Sequence, residues 1–132
     1  MKVAIASAVL DRLLEAAAAS PEAEVCGLLT GTPGTVTHAE LARNVAPRPE
    51  RGFEIDPATL LRVHREARGR GEAVVGHYHS HPNGRAEPSR TDAARALRDG
   101  QLWVIVAGGA ATGWTMTADG FAPVELVATV TV

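Results

Sequence analysis

The residues best suited to chemistry lie close together between positions 79 and 92. His79 and His81 are separated by one residue, and Asp92 follows eleven positions after His81. Alternation along a strand places side chains two residues apart on the same side, so both imidazoles can face one point. Two neutral imidazole nitrogens, one carboxylate oxygen and an open position form the ligand set of a catalytic zinc ion. We therefore predict one zinc ion per chain, bound by His79, His81 and Asp92.

A strand and a helix must position these three ligands. Residues 73–79 form an apolar run typical of a strand, which Pro82 and the following Asn83-Gly84 pair should end. Ser89 is a good N-cap for the next helix. Asp92 would then lie in the first turn of that helix, from which its carboxylate can reach back toward the end of the strand.

The same residues resemble the signature of a known family. His79-Ser80-His81-Pro82, followed by Ser89-Arg90-Thr91-Asp92, resembles the JAMM (MPN+, Mov34/MPN/PAD-1) zinc metalloprotease motif. That motif also needs a glutamate two residues before a Cys-Gly pair, and Glu24 takes this position ahead of Cys26-Gly27. The resemblance extends from residue 24 to residue 92 and indicates a short, prokaryotic-type member. His77 is a departure, because relatives more often carry an aromatic residue there.

That resemblance implies a zinc metalloprotease that hydrolyses peptide or isopeptide bonds. Zinc would keep an open position for water and lower the pKa of that water toward ~7. Glu24 would accept the water's proton and later deliver it to the leaving amine. The Ser89 hydroxyl would donate a hydrogen bond to the developing oxyanion. The expected products are a carboxylate and a free amine, with no covalent acyl-enzyme.

The resemblance also implies a class of substrate. Usual substrates in the family are ubiquitin-like tails that end in Gly-Gly and are joined to lysine or another amine. We therefore expect the partner to be a ubiquitin-like or sulfur-carrier protein with a Gly-Gly tail. A close variant would release an amino acid such as cysteine from the carrier's C-terminus. The sequence leaves open whether the chain forms a homodimer.

Length and composition predict one soluble, cytoplasmic domain that spans residues 1–132. Hydrophobic residues make up 45% of the chain and charged residues 21%, which is ordinary for a globular protein. The formal net charge of −2 provides no clustered basic face, so no nucleic-acid partner is expected. A single cysteine excludes an internal disulfide framework. Asp11, Arg12 and Glu15 interrupt the apolar core that a signal peptide needs, and no membrane partner is expected.

Periodicity predicts strands interleaved with three helices, followed by a run of strands. The predicted strands are residues 2–6, 25–30, 35–41, 53–55, 73–79, 102–107, 113–118 and 123–132. Ser7 should cap the first helix, and the other two helices should begin at Asp56-Pro57 and at Ser89. Their apolar faces should comprise Val9, Leu10, Leu13, Leu14 and Ala17, then Leu60, Leu61, His64 and Ala67, then Ala93, Ala94 and Leu97. This order indicates an α/β or α+β fold around one mixed sheet. The family resemblance implies such a sheet flanked by helices, similar to cytidine deaminases.

Two other classes of protein remain open at this point. One is a non-catalytic scaffold or binding module of the MPN type, although such relatives lose metal ligands that this chain keeps. The other is a RadC-like, DNA-associated protein, which carries a similar pattern of histidines and aspartate. The Glu24-Val25-Cys26-Gly27 element and the lack of a basic face argue against the second class.

Several residues near the motif have a simpler structural interpretation. His77 could compete as a ligand, but we expect it to pack beneath the site or to support it. Cys26 is expected to be a small buried hydrophobic residue, not a nucleophile. Glu22 lies close enough to Glu24 in sequence to be mistaken for the catalytic carboxylate, and we expect it to have no role in catalysis.

Overall fold

The computed structural model describes residues 1–130, which contain seven strands and three helices. In chain order they are β1 (Lys2–Ala6), α1 (Ser7–Ala18), β2 (Cys26–Thr32), β3 (Thr35–Ala42), α2 (Pro57–Gly69), β4 (Ala73–Ser80), α3 (Arg90–Arg95), β5 (Leu102–Ala107), β6 (Ala110–Thr117) and β7 (Gly120–Thr129). Within these residues, no helix is long and apolar enough to cross a membrane.

The strands form one mixed sheet that closes on itself in the order β1-β3-β2-β4-β5-β6-β7. β1 closes it by pairing in parallel with both β3 and β7. β4 is antiparallel to β2 on one side and parallel to β5 on the other, so its backbone is paired along both edges. This double pairing makes β4 a rigid support for the side chains that it presents.

The helices cover the two faces of the sheet, as the mixed α+β interpretation predicted. α1 buries Val9 and Leu13 in a core cluster that includes Tyr78 of β4 and Val104 of β5. α2 contacts β2, β3 and β4 outside that cluster. Because side chains alternate along β4, Tyr78 faces the α1 core while its neighbours face the opposite side of the sheet.

The start of α2 was predicted better than its apolar face. α2 begins at Pro57 with Asp56 at its N-cap, as predicted. Its apolar face is offset from the prediction, because Val63 and Ala67 are buried while Leu61 is 62% exposed. One face of the helix comprises Leu60, Val63 and Ala67, which recur at helical spacing. Leu61 is bulky and apolar but exposed, and including it shifted the predicted face around the helix.

Two further boundaries differ from the prediction. Ser7 is the first residue of α1 and not its cap, because β1 runs directly into the helix and Ala6 occupies the N-cap without a side-chain hydrogen bond. α3 ends at Arg95, where Ala96 returns to extended backbone. Leu97, which was expected on the helix, is 71% exposed, so no burial favours a further turn.

The strands of the C-terminal half begin earlier than predicted. β6 begins at Ala110 and β7 at Gly120, three residues before the predicted starts in each case. The predicted strand 53–55 is reduced to a single bridge between Asn44 and Ile55. The last two positions of the predicted final strand, 131 and 132, lie outside the described residues.

Gly76 of β4 provides a test of how closely the sheet supports the site. A Cβ at this position would collide with the carbonyl oxygen of Leu102 and lie 2.8 Å from the Leu102 Cβ. We expect Gly76→Ala to lower the free energy of unfolding by about 1–3 kcal/mol in urea titrations, because an overpacked strand must shift.

Gly69, at the end of α2, is the matched control, because nothing lies within 4 Å of an added Cβ there. Gly69→Ala is expected to leave stability unchanged or raise it by about 0.4–1 kcal/mol. Equal urea midpoints for the two variants would contradict the proposed tight pairing of β4 with β5.

Candidate functional site

Three predicted ligand atoms meet at one point beyond the end of β4. The Nε2 atoms of His79 and His81 are 3.1 Å apart, and Asp92 Oδ2 lies 3.2 Å from the first and 3.1 Å from the second. All three residues are buried, with His79 fully inaccessible to solvent. The two histidines flank the end of a strand and the aspartate lies in the first turn of α3, as the sequence predicted.

The donor set fits a small divalent cation. His81 Nδ1 lies 2.7 Å from the carbonyl oxygen of Arg85, which can only accept, so this nitrogen carries a proton and Nε2 is left to coordinate. A tetrahedral zinc site with bonds of about 2.0–2.1 Å would place its ligand atoms roughly 3.3 Å apart. The observed triangle of 3.1–3.2 Å is close to that spacing.

Charge on Asp92 and His79 is arranged as a cation would require. Burial raises the pKa of Asp92, but hydrogen bonds with both histidines and with the Ser89 amide outweigh it and hold that pKa well below its usual range. Burial lowers the pKa of His79 more than the neighbouring carboxylate raises it, so this ring stays neutral. A carboxylate that stays ionised beside a neutral imidazole is the protonation state that metal binding needs.

His79 is held by ring packing and not by a second hydrogen bond. Its Nδ1 is buried and has no partner among residues 1–130. The ring of Phe53 stacks on it at 4.3 Å between centroids, with 19° between the planes. Phe53 belongs to the loop that follows β3, so this loop takes part in orienting a predicted ligand.

His77 lies beside the site, as expected, and outside the triangle. Its ring packs edge-on against Trp103 at 4.3 Å and lies 5.3 Å from the ring of Phe53. Its Nδ1 is buried, and the described residues offer it no hydrogen-bond partner. Burial lowers the pKa of His77 to about 3. The structure therefore uses this neutral ring as part of an aromatic cluster that extends from His79 to Trp103.

Glu24 places a fourth polar group at the site. It immediately precedes Val25 and β2, it is 7% exposed, and its Oε1 is buried without a partner in the described part of the chain. One of its carboxylate oxygens lies within 4.8 Å of a nitrogen of each imidazole of His79 and His81. Burial raises the pKa of Glu24 to about 7, while the charge on His81 lowers it and that on Asp92 raises it. Glu22, by contrast, is exposed.

Either Glu24 or Asp92 could therefore be the third ligand, because each carboxylate lies near both imidazoles. Asp92 Oδ2 is in direct contact with both Nε2 atoms, and the Ser89 amide donates to it at 2.9 Å. Glu24 Oε1 makes no such contact with any described residue. The geometry thus favours Asp92 as the ligand and leaves Glu24 as the free carboxylate of the site.

Ser89 closes a capping box with Asp92 at the start of α3. Its Oγ accepts from the Asp92 amide at 3.0 Å, while Asp92 Oδ2 accepts from the Ser89 amide. The cap was predicted from the sequence. The second half of the box was missed, and it explains how a short helix holds the aspartate in one orientation.

Two residues to which the sequence assigned no role bind the backbone on either side of the Glu24–Val25 peptide. Ser80 lies between the two histidines, and its Oγ accepts from the Val25 amide at 2.9 Å. The Asn44 side chain donates to the Glu24 carbonyl oxygen at 2.9 Å. Ser80 was present in the recognised motif, but only its long-range contact shows what it holds; Asn44 carries no sequence signal beyond its place after a strand.

Cys26 is a buried thiol, as expected. It is fully inaccessible to solvent, and burial raises its pKa to about 12. A thiol in this state is a poor nucleophile. The site therefore offers imidazole, carboxylate and hydroxyl groups for chemistry, and no reactive sulfur.

Two characterised proteins are similar in sequence. The chain is 39% identical over 99 residues to a desampylase of Haloferax volcanii, which is 74% of this chain and 71% of that protein. It is 36% identical over 87 residues to a desampylase of Pyrococcus furiosus, covering 66% of this chain and 61% of that protein.

Solved structures share the fold. A protein of Desulfitobacterium hafniense superimposes with a TM-score of 0.87 and 22% identity over 98% of this chain and 94% of that one. A structure described as JAMM, a metalloprotease-like zinc site in the proteasome and signalosome, gives a TM-score of 0.62 and 20% identity over 98% and 99% of the two chains. At these identities the likeness concerns the fold.

Fold, site and relatives together define a hydrolase of the JAMM type. The scaffold and RadC-like alternatives find no such support. A family model for prokaryotic homologs of the JAB domain matches residues 6–119. The chain belongs to this family, as the two separated sequence motifs indicated.

Proposed function

We propose that this chain is a zinc-dependent isopeptidase or peptidase that cleaves the bond after the terminal glycine of a ubiquitin-like or sulfur-carrier protein. The observation that carries the proposal is the triangle of ligand atoms 3.1–3.2 Å apart with a buried free carboxylate beside it. Similarity to two desampylases supports a hydrolase that acts on protein conjugates.

His79, His81 and Asp92 would hold the zinc ion. When bound, zinc supplies a Lewis acid and lowers the pKa of a coordinated water toward ~7. The chain's own contribution is to fix the ligands before the metal arrives. The Arg85 carbonyl orients His81, Phe53 packs on His79, and the capping box orients Asp92.

Glu24 would move the proton. Its Oε1 is buried, has no competing partner within the described residues, and belongs to a carboxyl group whose pKa lies near 7. A group poised at this pKa can accept a proton from the attacking water and return it to the leaving amine at neutral pH. Burial also keeps bulk water from exchanging with that proton during the reaction.

Ser89 would stabilise the oxyanion. Its Oγ uses a lone pair to accept from the Asp92 amide, so the hydroxyl hydrogen remains available to donate. Ser89 and His81 line the same groove, which supports this role. A donor fixed in this way by a helix cap needs little reorganisation when charge develops on the substrate oxygen.

The proton shuttle is tested by comparing Glu24→Gln with Glu22→Gln. Glu24→Gln should bind zinc as the wild type does and lose about 10²–10⁴-fold in kcat, because an amide cannot accept the proton. Glu22→Gln is the matched control, since Glu22 is exposed and only two residues away. Zinc content and steady-state rates are measured on both variants; a normal rate for Glu24→Gln would remove the assignment.

The substrate class is tested by changing the carrier's tail. The reacting carbonyl must approach a buried site, and glycine offers both the least bulk and the widest choice of backbone angles. Fusions in which a ubiquitin-like carrier ends in Gly-Gly should be cleaved on the order of 10–100-fold faster than fusions ending in Ala-Ala.

Changing the amine that follows the scissile bond serves as the control and should alter the rate much less. Equal rates for the two tails, or equally fast hydrolysis of unrelated peptides, would refute a glycine-tail substrate.

A further inference from the structure

The loop between β3 and α2 is closed at its neck by two main-chain hydrogen bonds and the side chain of Asn44. Residues 45–54 form no regular secondary structure beyond turns, and the main chain at the neck pairs through the bridge between Asn44 and Ile55. In this bridge the Val45 amide donates to the Glu54 carbonyl at 2.9 Å and the Asp56 amide donates to the Arg43 carbonyl at 3.2 Å. The Asn44 side chain lies inside this neck. Its Nδ2 donates to the Gly52 carbonyl at 3.0 Å, and its Oδ1 accepts from the amides of Ala46 and Glu54 at 3.0 and 3.1 Å.

The fourth hydrogen bond of Asn44 leaves the loop and ends on Glu24. Nδ2 donates to the Glu24 carbonyl oxygen at 2.9 Å, which completes the two donors and two acceptor positions that an amide side chain offers. The Glu24 amide in turn donates to the carbonyl of Pro49, within the same loop, at 2.7 Å. Both backbone polar groups of Glu24 are thus bound by the loop and its neck.

The same loop reaches the metal ligands from its other end. Phe53 stacks on the His79 ring at 4.3 Å. The Phe53 carbonyl accepts from Arg95 of α3, the helix that carries Asp92, at 2.6 Å. The loop therefore contacts the backbone of Glu24, the ring of His79 and the helix that carries Asp92, and Asn44 helps to hold its two ends together.

We propose that Asn44 is the positioning residue that sets the Glu24 carboxylate in register with the metal ligands. It does so by joining the Glu24 backbone to the loop that Phe53 anchors on His79. This inference rests on the proposed role of Glu24 as proton shuttle and adds a residue that acts through it. The side-chain hydrogen bonds of Asn44 reach none of the three proposed metal ligands, so its loss should affect proton transfer and not zinc binding.

Asn44→Asp is the sharpest test, because the two side chains have nearly the same shape. The aspartate keeps the acceptor for Ala46 and Glu54 but turns a carboxylate oxygen toward the Glu24 and Gly52 carbonyls, which repel it. We expect kcat on a Gly-Gly carrier fusion to fall about 10–100-fold, with KM and zinc affinity changed less than about twofold. Asn44→Ala, which removes the bonds without adding charge, should show the same split between kcat and KM.

Thr37→Val is the matched control for stability. Thr37 is also partly buried, and its Oγ1 donates to Glu72 at 2.6 Å in a polar cluster of β3 and the segment before β4 that contains no residue of the site. This variant should lose thermal stability without losing kcat.

Hydrogen exchange gives a readout independent of activity: in Asn44→Ala the amides of Ala46, Glu54 and Glu24 should exchange at least about tenfold faster, while those of β4 stay protected.

The double variant Asn44→Asp/Glu24→Gln separates this inference from the proposed function. If Asn44 acts through Glu24, the double variant is no slower than Glu24→Gln alone. A further loss equal to that of Asn44→Asp by itself, or an unchanged kcat in both Asn44 variants, would overturn the inference while leaving the proposed function intact. An active Glu24→Gln variant would overturn both.

Discussion

The mutual approach of His79 Nε2, His81 Nε2 and Asp92 Oδ2 is the constraint on which the rest of the site depends. Three atoms that carry lone pairs lie 3.1–3.2 Å apart in a place that solvent barely reaches. Without a cation, protons on the imidazoles must satisfy the Asp92 carboxylate through hydrogen bonds. A divalent cation can take the place of those protons and accept a lone pair from all three atoms, which is why this geometry favours metal binding.

The fold meets this constraint by fixing each ligand from a different direction. β4 is paired along both edges, so the strand that delivers the histidines cannot shift without breaking two ladders. The capping box holds Asp92, and the loop behind Phe53 packs on His79. Ser80 and Asn44 bind the backbone on either side of the Glu24–Val25 peptide, so the proposed base is held in the same frame as the proposed ligands. Because the groups are already in position, little free energy is needed to reorganise them during the chemical step.

The sequence predicted the features that depend on neighbouring residues. It did not predict those that depend on contacts between distant parts of the chain. The strand that ends at Pro82, the Ser89 cap and the position of Asp92 in its first turn follow from backbone rules that act over a few residues. The position of the loop 45–54 against the site follows from no such rule, because it depends on the bond from Asn44 to the Glu24 carbonyl and on the stacking of Phe53 on His79, which join residues far apart in sequence. The face of α2 was misjudged for a related reason: burial of Val63 and not Leu61 is decided by the sheet beneath it. That β1 pairs with both β3 and β7 and closes the sheet also depends on tertiary contacts that periodicity does not reveal.

Zinc-edge X-ray absorption on the chain with one equivalent of zinc tests the central claim most directly. The account predicts a shell made only of nitrogen and oxygen at about 2.0–2.1 Å, with imidazole scattering, and loss of that shell in Asp92→Ala. Sulfur scattering near ~2.3 Å, which would place Cys26 on the metal, would contradict it. An unchanged spectrum in the Asp92→Ala variant would contradict it equally.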